Sequence, residues 1–130
     1  MDKGTILAGF QSKLEEFSKN FSVAKLWEKI QKNARKLGVK VVFEAQKLFY
    51  MLQDPVVNAS DKLIITAALG YMILPLDLVP DFIPGGFIDD GVILTWALNQ
   101  LKGKMTESTL QKAKSKLREW FPNVTDAELS

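Results

Sequence analysis

The chain has 130 residues, of which 47% are hydrophobic and 25% charged, with a formal net charge of +2; this is the composition of one globular domain able to bury a core, not of a disordered chain. It contains neither cysteine nor histidine, which excludes disulfides, a thiolate nucleophile, a Ser-His-Asp triad and zinc held by imidazole or thiolate. Any metal would be a hard cation on oxygen ligands, and acid–base chemistry would fall to Asp, Glu, Lys or Tyr.

Nearly every segment has helical periodicity. Ile6, Leu7, Phe10, Leu14, Phe17 and Phe21 fall on one face, predicting a first helix, with Lys13, Glu15, Glu16 and Lys19 off it. Those charges also interrupt the apolar run that a signal peptide would need, so a cytoplasmic location is expected. Ser22 is placed to cap a second helix, whose stripe is Val23, Leu26, Trp27, Ile30, Ala34 and Leu37, and Gly38 ends it. Its polar side carries Lys25, Lys29, Lys32, Arg35 and Lys36. A third helix is expected from Val39 to Gln53, with Lys40, Glu44 and Lys47 as a narrow polar strip, stopped by Asp54-Pro55.

Asn58 or Ser60 caps a fourth helix, "DKLIITAALGYMIL", which has no charge beyond Lys62. A helix apolar all round is buried on all sides, in a core or in lipid. Leu63 to Leu76 is 14 residues without a charge, and a spanning helix needs about 20. The expectation is therefore a central core helix covered by amphipathic neighbours, in a soluble monomer or weak homo-oligomer. A fifth helix follows from Asp89 to about Leu101, with Val92, Ile93, Trp96, Ala97 and Leu101 toward the core and Gly103 ending it. Thr106 caps a sixth, with the stripe Leu110, Ala113, Leu117, Trp120 and Phe121, and Pro122 stops it. Residues 123–130 should fray. The fold class expected is all-α: a compact bundle of five or six helices around a central apolar helix, in a single domain spanning 1–130.

Charge is uneven. Residues 1–53 carry +5, residues 54–101 carry −5 and residues 102–130 carry +2, so basic amphipathic ends, including helices within 1–40, flank an acidic, apolar middle. The acidic charge is concentrated in "PLDLVPDFIPGGFIDD", the loop before the fifth helix. Pro75, Pro80 and Pro84 restrict φ and remove donors, and Gly85-Gly86 can take positive φ, so these five residues shape the loop. Asp77, Asp81, Asp89 and Asp90 admit two readings. Carboxylates can accept orphan backbone N–H groups at the loop and at the start of the fifth helix; or some of the four can ligate Mg²⁺ or Ca²⁺. The spacing is not that of an EF-hand, and Phe82, Ile83 and Phe87 interrupt the ligands, so capping is preferred and no cofactor is expected. No catalytic residue is assigned.

"YMILPLDLVPDFIPGGFIDDGVIL", Tyr71 to Leu94, resembles the signature of the YkvA-like family, a bacterial domain of unknown function (domain of unknown function 1232). The pattern Pro-x-Asp-x-x-Pro-Asp-x-Ile-Pro, then Gly and Asp-Asp, is met at Pro75, Asp77, Pro80, Asp81, Ile83, Pro84, Gly86, Asp89 and Asp90. Gly85 departs from it, since members usually carry a larger apolar residue there. The resemblance covers about residues 48–100. It implies a small helical domain with no assigned activity, cofactor or substrate, and members are suspected of membrane association.

The basic side of the second helix, Lys25, Lys29, Lys32 and Arg35, is suited to an anionic membrane surface or an acidic protein partner. Nucleic acid is disfavoured, because no aromatics interleave with these cations and no base-reading motif follows. The function expected is a non-enzymatic module docking on a membrane surface or a protein partner, peripheral to the inner face of the membrane. The alternative is a divalent-metal-binding protein or carboxylate-dependent enzyme that uses the Asp-rich loop.

Overall fold

The computed structural model describes residues 8–73, 90–125 and 129. Within them the chain is all helical, with five helices: α1 (Leu14–Ser18), α2 (Val23–Met51), α3 (Ala59–Met72), α4 (Asp90–Gln100) and α5 (Glu107–Trp120). A further helical turn occupies residues 8–11. Strands are absent among the described residues.

The single first helix expected from Ile6 is broken. Residues 12 and 13 form a turn, and Lys13 has φ −124° and ψ 25°. The Ser12 hydroxyl donates to the Gly9 carbonyl at 2.8 Å, and the Lys13 N–H reaches only back to the Phe10 carbonyl at 3.0 Å. A serine side chain that takes a nearby carbonyl competes with the helix ladder, and here it ends a helical run. The break lets Phe10 and Phe17 stack on each other, with centroids 5.0 Å apart.

α2 begins as read, with the Ser22 side chain accepting from the Lys25 N–H at 3.3 Å. It is helical at both ends but folded in the middle. Gly38 has φ 85° and ψ 163°, a region essentially restricted to glycine. The consequence is geometric: Trp27 and Phe49 are 22 residues apart, about 33 Å along a straight helix, yet their rings lie 4.9 Å apart. Residues 23–37 and 39–51 therefore fold back on each other about Gly38, as the stop read there predicts.

α3 has a capping box: the Asn58 side chain accepts from the Asp61 N–H at 2.9 Å, and the Asp61 carboxylate accepts from the Asn58 N–H at 3.1 Å. Ile65, Ala67, Ala68, Leu69, Tyr71 and Met72 are buried, and the helix packs against α1, α2 and α4. It is the central apolar helix of the bundle. Its closest neighbour is α1, because Gly70 lies against the backbone carbonyl of Phe17, where a β-carbon would not fit. Ser18 and Thr66 share a hydrogen bond of 2.7 Å across the same contact. Phe10 and Phe17 meet Tyr71 edge-on, at 5.8 and 5.3 Å, and Phe10 meets Trp96 of α4 at 5.6 Å.

α4 and α5 bury the expected stripes in part. Ile93, Leu94, Ala97, Leu101, Ala113 and Leu117 are buried, whereas Val92, Trp96, Leu110 and Trp120 are half-buried against the core. Val23, read as part of a buried stripe, is 45% exposed: it opens α2, one turn beyond the buried Leu26. In the segment expected to fray, Leu129 is buried.

Candidate functional site

The basic side of α2 lies on residues 23–37. Lys25, Lys32, Arg35 and Lys36 are exposed. Lys32 is paired with Glu28 one turn before it, at 2.8 Å, with both side chains mostly in water, and this ammonium holds the Glu28 carboxyl below its ordinary range. A pair this exposed is screened by water and adds little to stability. Lys29 is placed differently. Its ammonium donates to the backbone carbonyl of Met72 in the last turn of α3. The last carbonyls of a helix lack intrahelical partners and carry the negative end of the helix dipole, so a lysine there satisfies both. Of the four cations read as one surface, Lys25, Lys32 and Arg35 face water, and Lys29 anchors α3.

The Asp-rich segment follows α3 in the sequence. Pro75, Asp77, Pro80, Asp81, Pro84, Gly85, Gly86 and Asp89 fall outside the described residues. Asp90 opens α4, and only its backbone is described. No group of three or more Asp or Glu side chains able to hold a metal ion occurs among the described residues.

One carboxylate sits where the sequence reading did not put it. Glu44, expected on a polar strip with Lys40 and Lys47, is only 6% exposed. It accepts a hydrogen bond from the Thr95 hydroxyl of α4 at 2.7 Å, so α4 covers this side of α2. Lys47, the next residue of the strip, is half-buried with its ammonium 4.4 Å from the centre of the Phe43 ring. Burial lowers its pKa, opposed by the nearby Glu44. Gln46, on another side of the helix, is fully buried, and neither atom of its amide is hydrogen-bonded among the described residues.

Two further carboxylates tie connections together. Asp54, just past α2, accepts from the Thr106 and Thr109 hydroxyls at 2.7 and 3.0 Å and from the Val56 N–H at 3.0 Å. Thr106 also caps α5, accepting from the Thr109 N–H at 3.2 Å, so one hydroxyl caps the helix and docks it. Asp61, in the first turn of α3, is paired with Lys104, beyond the end of α4. Both carboxyls are held below the ordinary value of 3.8: Asp54 chiefly by Thr106, then Val56, and Asp61 chiefly by Lys104, then Asn58.

No helix among the described residues is long and apolar enough to cross a membrane. Residues 61–96, from the first turn of α3 to Trp96 of α4, match the family described as "Protein of unknown function (DUF1232)". The chain is also 34% identical over 80 residues to "Uncharacterized membrane protein YkvA" of Bacillus subtilis (strain 168), an alignment covering 56% of this chain and 76% of that protein. This chain belongs to the YkvA-like DUF1232 family. No solved structure matches it. In this DUF1232 protein the matched segment comprises the central helix, the Asp-rich loop and most of α4. The folded-back α2 and the α5 that packs on it lie outside residues 61–96, and α2 carries the exposed Lys25, Lys32, Arg35 and Lys36.

Proposed function

We propose that this protein is a non-enzymatic helical module that docks peripherally on an anionic membrane surface through residues 23–37 of α2. The observation that carries the reading is the row of water-facing cations Lys25, Lys32, Arg35 and Lys36 on one helical segment. The description of the Bacillus subtilis relative as a membrane protein, beside the lack of a spanning helix among the described residues, supports contact with a surface over insertion. Each basic residue near such a surface is worth about 1 kcal/mol, and screening sets in beyond about 10 Å at 0.1 M salt. These four water-facing cations, one of them paired with Glu28, would therefore give weak, salt-sensitive binding.

The test is co-sedimentation with phosphatidylcholine vesicles, with and without phosphatidylglycerol, across a salt series. Binding only to the anionic vesicles, falling with salt and lost in a Lys25→Glu/Arg35→Glu variant, supports the reading. Equal sedimentation with both vesicle types removes it. The divalent-metal alternative at Asp77, Asp81, Asp89 and Asp90 is tested alongside: a rise in melting temperature with Mg²⁺ or Ca²⁺, reversed by EDTA and lost in Asp→Asn variants, would put a metal function in its place.

A further inference from the structure

We propose that the groove between Tyr50 of α2 and the outer face of α5 binds the phosphate of a lipid headgroup. This rests on the membrane reading above and gives it a headgroup-selecting site at a second place.

The groove has a volume of about 420 Å³ and is open to solvent, lined by Tyr50 and by Ser108, Lys112, Ser115, Lys116 and Glu119. The α5 residues recur every three or four positions and so share one helical face. Their chemistry is that of an anion site: two ammonium groups, two serine hydroxyls and a phenol, all able to donate hydrogen bonds. One of the two cations, Lys116, is also positioned. The Lys116 ammonium lies 5.3 Å from the centre of the Trp27 ring and 5.9 Å from that of Trp120. Tyr50 packs edge-on to Phe49 at 5.1 Å, and Phe49 packs on Trp27. Half-buried Trp and Tyr beside lysine are the residues that settle at the headgroup level of a bilayer.

One lining group opposes an anion. Glu119 pairs with Lys116 at 3.5 Å, and its side chain is 65% exposed. It is a loosely held counter-charge that an entering phosphate displaces. Removing it should therefore strengthen binding, an effect opposite to that of losing any donor. The groove is reached from the sequence only through the fold, because Trp27, Tyr50 and Lys116 meet only once α2 bends at Gly38 and α5 packs on it.

The experiment compares phosphatidylcholine vesicles doped with phosphatidic acid or with phosphatidylglycerol at matched surface charge, with glycerol 3-phosphate as a soluble arm read by amide chemical shifts. The expected result is a preference for phosphatidic acid. Lys112→Ala should weaken that binding about five-fold, Ser115→Ala should reduce the preference, and Glu119→Gln should increase the affinity. These residues are solvent-exposed, and unchanged melting temperatures will show that the variants fold. The Lys25→Glu/Arg35→Glu variant should weaken binding to both lipids while keeping the preference. If the groove variants bind both lipids as the wild type does while the α2 variant loses binding, the groove proposal is overturned and the peripheral reading stands. If neither set changes sedimentation, both are overturned. If glycerol 3-phosphate shifts the Tyr50 and Ser115 amides but Lys112→Ala leaves vesicle binding intact, the site serves a free phosphate ester and the lipid assignment is overturned.

Discussion

The Thr95 hydroxyl donates to the Glu44 carboxylate at 2.7 Å, joining α4 to the second half of α2 where Glu44 is almost out of water. A buried acceptor that loses its donor is destabilising by about 1–3 kcal/mol. Thr95→Val, which keeps the shape, should lower stability by that amount, and Thr95→Ser should retain most of it. Denaturant unfolding checks this, and equal midpoints for the two variants would show that the bond contributes nothing.

Gln46 sets up the reverse outcome. Its amide is fully buried and makes no hydrogen bond among the described residues. Gln46→Met keeps the volume and length of the side chain while removing a polar group that gains nothing from its position. The variant should be more stable by about 1–3 kcal/mol. A loss of stability in the same unfolding measurement would mean that the amide is satisfied in solution.

Gly70 is the point where the fold tolerates no side chain. A β-carbon there meets the carbonyl of Phe17, which is backbone and cannot rotate away. Gly70→Ala should push α1 off α3 and cost about 1–3 kcal/mol. Hydrogen exchange should show the damage locally, as faster exchange of the amides of residues 14–18. Uniform loss of protection across the chain, or none, would contradict the close approach.

Acid should destabilise the protein through Asp54 and Asp61. Both carboxyls are lowered in the folded state from an ordinary value of 3.8. Groups of this kind contribute stability above their unfolded pKa, and that contribution is lost as pH falls through the lower folded value. Melting temperature should therefore be flat from neutral pH down to about pH 4 and fall below it. In an Asp54→Asn/Asp61→Asn double variant it should start lower at neutral pH and decline less on acidification. Parallel wild-type and variant curves would show that these two groups do not set the response.

The features legible in the sequence were those that one segment encodes alone. Ser22, Asn58 and Thr106 cap the helices they precede, because a cap pairs a side chain with a backbone group three residues on. Gly38 reverses α2, and the uncharged stretch after Lys62 is the buried α3. What escaped reading pairs residues distant in the chain. The glutamate at 44 has helical neighbours that place it on a polar strip, and only the arrival of Thr95, 51 positions later, explains its burial. Lys29 looked like one cation among four until the end of α3 reached it. Ser12 was missed for a local reason, since a serine within a helical period gives no sign of which carbonyl its hydroxyl will take. The Asp-rich loop was the most specific signal in the sequence, and it lies outside the described residues save for the backbone of Asp90.

Asp54–Thr106 and Asp61–Lys104 also bear on whether the chain must be continuous. Each joins a residue before the loop to one after it, as do the packing of α4 and α5 on α2 and the packing of α4 on α3. The polypeptide link between Ile73 and Asp90 is therefore not the only connection between the two parts. Fragments 1–73 and 90–130, produced together, should reassemble through these contacts into a helical complex with a cooperative melt. The complex should separate on acidification, as the carboxylates that join its halves take up protons.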